Sequence, residues 1–230
     1  ALMPKIHRLL QVYDSLNGEI RACKRSQEST LRLAALDTIS TRWLPRAVAQ
    51  LKEEYPQITV SVISGSPMQV DNWLRDGSAE IGVTDRRWTG AEMDWTKMLD
   101  DPFLAVLPPD SDAPDPMPAA YLSGKAVIIP DYGANTDTTR VFTRAGVEPA
   151  YTDDRLNNRS VLAAVAAGLG STVFSRLELD YYAQQNLTVR SIDPPCMREL
   201  GVAMRPAVKN NPVVRSLLRA LRRAAADDIA

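Results

Sequence analysis

The sequence has few of the residues that build catalytic and metal centres. It contains one histidine, His7, and two cysteines, Cys23 and Cys196, which lie far apart and outside any CxxC pair. This argues against a histidine-based metal site, Ser–His catalysis and a disulfide framework, and we expect neither a metal nor a cofactor. Sparse cysteine also favours a reducing cytoplasm. With no run of 18 apolar residues, we expect no membrane span, and residues 1–29 make a poor signal peptide.

The charges are unevenly distributed along the 230 residues. The net charge is +3 over residues 1–27, −8 over residues 28–204 and +4 over residues 205–230. The acidic middle is unlike a nucleic-acid-binding surface. The basic residues near the C-terminus are expected to form the solvated face of a helix.

Apolar residues near the N-terminus repeat at alternating intervals of four and three positions. This heptad spacing predicts a helix over residues 1–28 with a narrow apolar stripe. Such a stripe packs either against a second helix or on the core of its own domain. We expect dimerisation, because the helix precedes the first predicted strand. The stripe consists of Leu2, Ile6, Leu9, Tyr13, Leu16 and Ile20.

A strand–helix–strand unit follows. Residues 31–36 (LRLAAL) read as a strand, and apolar residues at helical spacing predict a helix over residues 43–55 with Pro45 in its first turn. Pro56 ends that helix, and alternation from residue 58 predicts the next strand. Such a unit opens an α/β sheet whose strand ends usually bind a ligand.

The same pattern continues through the chain. Further strands are predicted at residues 81–83, 93–98, 102–109, 125–130, 187–192 and 199–204, with helices at 137–145 and 212–226. A short helix that ends at Gly77 is also predicted, and residues 158–175 (NRSVLAAVAAGLGSTVFS) read as a helix, a Gly-Leu-Gly turn and a strand. We expect two α/β lobes joined by two crossover strands with a cleft between them. The expected boundaries are residues 31–104 plus 198–230 for lobe I and residues 105–197 for lobe II.

Five segments resemble the regulatory part of LysR-type transcriptional regulators. In chain order they are LRLAALDTISTRWLPRAVAQLKEEYP, WLRDGSAEIGV, PFLAVLPPDSD, LSGKAVIIP and VLAAVAAGLGSTVFS, and the resemblance extends over residues 31 to about 223. Residues 2–28 are similar to the family's linker helix. The resemblance implies a fold of the type 2 periplasmic-binding-protein kind.

The resemblance also implies a function. It implies a sensor without enzymatic activity that binds a small-molecule effector, such as an organic acid, between its lobes. It implies cytoplasmic homodimers or homotetramers that bind DNA through a winged helix-turn-helix preceding residue 1, with RNA polymerase as a further partner.

In lobe I, the resemblance places effector contacts at two segments. The first is Asp37, Thr38, Ile39 and Ser40; the second is Ser64-Gly65-Ser66. Hydroxyls beside free N–H groups at a helix N-terminus form an anion site, although the same hydroxyls could simply cap the helix. The second segment has an ordinary glycine turn as its alternative. Asp37 would repel a carboxylate, so it faces away, binds an amine of the effector or caps the helix.

In lobe II, the resemblance places contacts at Tyr132, Asn135 and Thr136, where helix capping is the alternative, and at Thr172, Phe174 and Ser175. Phe103 lines either the cleft or the core, and Arg140 either binds a carboxylate or lies on a helix surface.

Two other classes of protein compete with a regulator. A transporter's solute-binding protein can have the same fold, but it would need an export signal or a lipid-anchor cysteine, and we find neither. A two-lobed enzyme could use the acid pairs Asp100-Asp101 and Asp153-Asp154. Adjacent side chains on an extended segment point apart, so we expect these pairs to be solvated.

Overall fold

The computed structural model describes residues 30–130, 135–182 and 186–228, and for residues 135–137 and 153–155 the backbone alone. The predicted linker helix, with its heptad stripe, lies outside the described residues. Tyr132 also lies outside them.

Lobe I begins with alternating strands and helices, as the sequence predicts. Strand β1 is almost fully buried, and the buried residues of helix α1, among them Ile39, Trp43 and Leu51, follow helical spacing. The elements are β1 (Thr30–Leu36), α1 (Asp37–Glu54), β2 (Thr59–Gly65), α2 (Pro67–Asp76), β3 (Ile81–Asp85) and β4 (Asp94–Leu107).

The predicted start of α1 is wrong by six residues. The helix begins at Asp37, directly after β1, so Pro45 lies inside the helix and not in its first turn. Proline in a helix interior removes a backbone hydrogen bond. The N-terminal half nevertheless stays helical because Ile39 and Trp43 are fully buried in the core, and the Trp43 Nε1–H donates to Asp228 Oδ2 at 2.6 Å.

The second part of the chain forms lobe II and then returns to lobe I. The sequence missed two strands here, the short β5 and β7. The elements are β5 (Met117–Pro118), β6 (Ala126–Pro130), α3 (Asn135–Ala145), β7 (Ala150–Leu156), α4 (Asn158–Ala166), β8 (Thr172–Ser175), α5 (Arg176–Tyr182), β9 (Thr188–Asp193), β10 (Met197–Met204) and α6 (Pro212–Asp227).

Two strands cross between the lobes. In lobe I, β1 pairs in parallel with β2 and β3, and β10 runs antiparallel between β3 and β4. Beyond Pro102, β4 leaves β10 and pairs with β8 and β9 of lobe II. The sequence predicted two strands here, broken before Pro102. One continuous strand forms because the proline, which lacks an N–H group, lies where β4 changes partners.

Separate hydrophobic cores match the two lobes. One core packs β1, β2 and β3 against α1, α2 and α6, and two others surround the C-terminal half of β4. Short helix α5 contributes to both sides, since Leu177 belongs to the lobe I core and Leu179 to a lobe II core. None of the helices in the described ranges is long and apolar enough to cross a membrane.

Candidate functional site

A cavity of about 480 Å³ lies between the two lobes, within the usual range for small-molecule sites. Its lobe I wall is the edge where the parallel strands β1 and β2 end side by side, because Leu36 pairs with Gly65. Its other wall comes from α4 and α5, with one residue from β10. It is lined by Leu36, Asp37, Thr38, Ser64, Gly65, Ser66, Pro67, Gln69, Asn157, Asn158, Arg159, Glu178, Tyr182 and Arg198.

The N-terminus of α1 opens into this cavity without a side-chain cap. The N-cap residue is Leu36, whose side chain cannot accept a hydrogen bond. The hydroxyls of Ser40 and Thr41 donate to the carbonyl of Asp37, at 2.8 and 3.2 Å, and therefore do not cap N–H groups. The Thr38 hydroxyl is buried and has no hydrogen-bond partner among the residues that the structure describes. We call residues 36–38 the α1 rim. Its free N–H groups and its hydroxyl without a partner make it suitable for binding an anion.

The N-terminus of α2 borders the same cavity but satisfies its own donors. The Gln69 N–H donates to the Ser66 hydroxyl at 3.4 Å, and the Ser66 N–H donates to Gln69 Oε1 at 2.9 Å, which is a capping box. Gly65 leaves room for this cap, because a Cβ atom there would lie 2.6 Å from Gln69 Oε1 and 2.9 Å from the Trp73 ring, and one of these side chains would have to move. This segment shapes the wall and keeps its hydroxyl occupied.

The lobe II wall carries a second set of polar groups. The Asn157 side chain caps α4 by accepting from the Ser160 N–H at 3.0 Å. The Asn158 side chain forms a hydrogen bond with Tyr182, while its buried Oδ1 has no partner within the described part of the chain. The exposed side chain of Arg159 borders the cavity. Burial, and then the charges of Asp37 and Glu178, raise the pKa of Tyr182 to about 12, so its phenol is protonated at neutral pH. This wall offers a cation, an amide oxygen and a phenol to a ligand.

Three charged residues and one serine form a junction cluster, Asp101, Ser175, Glu178 and Arg198, of which Glu178 and Arg198 line the cavity. Arg198 Nε and Nη2 each lie 2.9 Å from Asp101 Oδ2, and Nη1 lies 3.4 Å from Glu178 Oε1. The Ser175 hydroxyl donates to Glu178 Oε2 at 3.1 Å. The Leu177 N–H donates to Asp101 Oδ1 at 3.1 Å. The cluster therefore joins both crossing strands to α5.

One member of this cluster corrects the expectation for the acid pairs. Asp101 is 1% exposed and ion-paired, whereas its neighbour Asp100 is solvated and pairs with Lys97 at 2.8 Å. Register explains the difference, since alternate residues of β4 face opposite sides. The side chains of Asp153 and Asp154 are not described.

The structure brings the lobe I candidates together in part. The cavity is lined by Asp37, Thr38, Ser64, Gly65 and Ser66. Ile39 instead lies in the lobe I core, fully buried, and Ser40 is absent from the lining. Both belong to α1 because the predicted loop over residues 37–41 is the first turn of that helix. Whether the lining residues contact a ligand stays a prediction.

The lobe II candidates lie elsewhere. Phe103 and Phe174 are core residues, and the buried Thr172 hydroxyl donates to the Ile128 carbonyl at 2.7 Å. Ser175 does not line the cavity but holds Glu178. Arg140 binds the Met197 carbonyl at 2.7 Å, which ties α3 to a crossing strand. Asn135 and Thr136 start α3, and their side chains are not described.

Sequence reasoning missed the residues that α4, α5 and β10 contribute. Asn157 follows a strand and precedes an apolar helical pattern, which is an N-cap signal that could have placed it at a helix start. No local signal marks Glu178, Tyr182 or Arg198, because their position depends on how the chain crosses between lobes. Within the described ranges, no group of three His, Cys, Asp or Glu side chains is arranged to bind a metal.

Solved structures share this fold. The regulatory domain of CcmR from Synechocystis, in complex with 2-PG, aligns with a TM-score of 0.72 at 22% identity, covering 85% of this chain and 97% of that chain. The regulatory domain of MetR from N. meningitidis aligns with a TM-score of 0.67 at 15% identity, covering 86% and 94%. The two-lobed, periplasmic-binding-protein-like fold is thereby confirmed.

Curated relatives point to one family. The probable HTH-type transcriptional regulator LrrA of Synechococcus elongatus is 27% identical over 222 residues, covering 95% of this chain and 74% of the relative. MetR of Escherichia coli is 23% identical over 224 residues, covering 95% and 70%. The family profile described as LysR substrate binding domain matches residues 24–226. This chain therefore belongs to the LysR family and contains its ligand-sensing, substrate-binding domain.

Proposed function

We propose that the cavity between the lobes binds a small organic anion and that the α1 rim is its primary contact. The observation that carries this proposal is the buried Thr38 hydroxyl, which has no partner at an uncapped helix N-terminus that opens into the cavity. A bound anion would accept hydrogen bonds from this hydroxyl and from first-turn N–H groups, with the helix dipole adding to the attraction. Arg159 supplies a cation from the opposite wall.

Binding of this kind biases the angle between the lobes. The ligand would contact lobe I through α1 and lobe II through α4, so it binds more tightly when the walls are close. The free energy available for regulation equals the difference in its affinity for the closed and open arrangements. We propose that residues 31–104 plus 198–230 and residues 105–197 move as the two units, acting on DNA through a further domain in a cytoplasmic homo-oligomer.

The test is a binding screen of the purified chain with small carboxylates and phosphates, by thermal shift and then calorimetry. Thr38→Val removes the idle hydroxyl at nearly constant volume, and we expect affinity for the best anion to fall about tenfold, since a hydrogen bond to a charged group is worth about 1.5–3 kcal/mol. Thr41→Val is the matched control, because the Thr41 hydroxyl bonds backbone carbonyls of α1.

Two outcomes would contradict the proposal. One is a screen in which no anion raises the melting temperature. The other is equal loss of affinity in the Thr38 and Thr41 variants, which would mean that α1 responds as a whole and that the cavity hydroxyl has no special part.

A further inference from the structure

Asp37 brings a negative charge into the cavity beside the anion site. It lies in the first turn of α1, it is exposed, and it borders the cavity. No hydrogen bond or ion pair of its carboxylate is found among the described residues. Of the three roles that the sequence left open, facing away and capping are therefore not supported. The remaining role is to bind a cationic group of the ligand.

Glu178 adds a second negative charge from the other side of the cavity. Its ion pair with Arg198 does not neutralise it, because Arg198 is held more closely by Asp101, through two nitrogens at 2.9 Å against one at 3.4 Å. These three residues sum to one net negative charge. The glutamate is also the most exposed of the three, with 19% of its side chain accessible, so the excess charge faces the cavity.

Asp37, Glu178 and Tyr182 line the same cavity, so the two carboxylates lie near one phenol. Both Asp37 and Glu178 raise the pKa of Tyr182, after the larger effect of burial. Such an effect requires both charges to lie near one phenol. The phenol oxygen of Tyr182 already has a side-chain hydrogen bond with Asn158, so the two carboxylates are the acceptors that remain for a cationic group.

A second, independent feature indicates that the ligand carries a negative charge as well as a positive one. Thr38, which is 4% exposed, lines the same cavity, and its buried hydroxyl has no partner among the described residues. The neighbouring N–H groups of α1 have no side-chain cap. Because Asp37 and Thr38 are adjacent in the chain, a cation site and an anion site lie side by side. The α-ammonium and α-carboxylate of an amino acid have the same close spacing.

We propose that the ligand of this cavity is a zwitterion of the amino-acid type, with its ammonium group between Asp37 and Glu178 and its carboxylate on the α1 rim at Thr38. This inference rests on the proposed function and narrows it to a substrate class. A simple organic acid would bind at the same rim but more weakly, because it has no ammonium group to offset the charge of Asp37. An α-amino acid balances both charges.

The experiment compares ligands that differ only in the ammonium group. The purified chain is screened with the common L-α-amino acids and with α-hydroxy acids of matching skeleton, such as alanine with lactate and phenylalanine with phenyllactate. We expect at least one amino acid to bind about tenfold or more tightly than its hydroxy acid, the scale expected for a charge-assisted hydrogen bond.

Variants then locate the preference. Asp37→Asn and Glu178→Gln should each reduce the ratio of amino-acid to hydroxy-acid affinity at least about threefold, because each removes one charge facing the ammonium group. Asp37→Asn is the more robust of the two, since Asp37 has no ion pair in the described structure to lose. Glu53→Gln, at the exposed far end of α1, is the control and should leave the ratio unchanged.

The outcomes separate this inference from the proposed function. Hydroxy acids that bind as tightly as their amino acids, or ratios unaffected in both variants, would overturn the zwitterion while leaving an anion sensor intact. If neither these ligands nor the broader anion screen bind, both proposals are wrong. Amino-acid binding that survives Thr38→Val but fails in Asp37→Asn would support the cation site and contradict the anion site.

Discussion

The α1 rim and Arg198 of the junction cluster border the same cavity, yet the polar groups of the two regions are paired to different degrees. In the junction cluster, Asp101 and Arg198 are almost fully buried and pair with one another. At the α1 rim, the helix has no side-chain cap and Thr38 has no partner. Paired groups stabilise the fold, and unpaired groups are available to a ligand. Substitution of Asp101 or Arg198 should therefore cost stability, and substitution of Thr38 should cost binding.

Breaking the junction ion pair should have the largest effect on stability. Asp101→Asn removes the nearer of the two carboxylates that pair with the buried Arg198, and Glu178 alone remains at 3.4 Å. We expect the free energy of unfolding to fall by about 3–5 kcal/mol in denaturant titrations. Asp100→Asn is the matched control, since Asp100 is exposed, and its midpoint should not move. The double variant Asp101→Leu with Arg198→Met should lose less than Asp101→Asn. Equal midpoints for the two single variants would contradict a structural role for the cluster.

Crowding Gly65 should have the next largest effect. Gly65→Ala places a Cβ atom 2.9 Å from the Trp73 ring and within the capping box, so we expect a loss of about 1–3 kcal/mol in the free energy of unfolding. Gly90→Ala is the comparison, because its nearest atoms belong to the flexible Glu92 side chain. If the melting temperatures of the two alanine variants fall by the same amount, the close packing around Gly65 makes no special contribution to stability.

Removing the α2 cap should cost less. Ser66→Ala deletes the hydroxyl that accepts from the Gln69 N–H, and we expect the free energy of unfolding to fall by about 1 kcal/mol. Affinity for the best anion in the screen should change little, since this hydroxyl is already occupied. A large loss of affinity without a loss of stability would move the anion site from α1 to α2.

The smallest effect on stability is expected at the α1 rim. Thr38→Val removes a buried hydroxyl that has no hydrogen bond among the described residues. The free energy of unfolding should therefore change by less than about 0.5 kcal/mol in either direction. Denaturant titration and calorimetry on the same sample measure stability and affinity together. If Thr38→Val lowered the stability and left the affinity unchanged, Thr38 would be a structural residue and not a binding residue.

Local patterns were enough to predict the sheet edge on which the α1 rim lies. Alternation in β1 and β2 and the helical spacing of α1 place Asp37 and Ser66 at neighbouring strand ends. The S-x-x-Q spacing of Ser66 and Gln69 is itself a capping-box signal in the sequence. These features depend on residues that are close in the chain, so periodicity and turn chemistry can predict them.

The junction cluster was beyond local patterns. Asp100 and Asp101 look alike in the sequence, and only the register of β4 decides which one is buried. Arg198 reaches Asp101 from nearly a hundred residues away, because β10 returns beside β4. The proposed contacts at Thr172 and Phe174 failed to line the cavity for the same reason, since the packing of β8 against β4 turns both side chains into buried positions.

A crystal structure of the purified chain with the tightest ligand from the screens tests the central claim most directly. We predict ligand density between the lobes, with an anionic group within hydrogen-bonding distance of the Thr38 hydroxyl and the first-turn N–H groups of α1. Density elsewhere on the protein, with the cavity between α1 and α4 occupied by water alone, would contradict it.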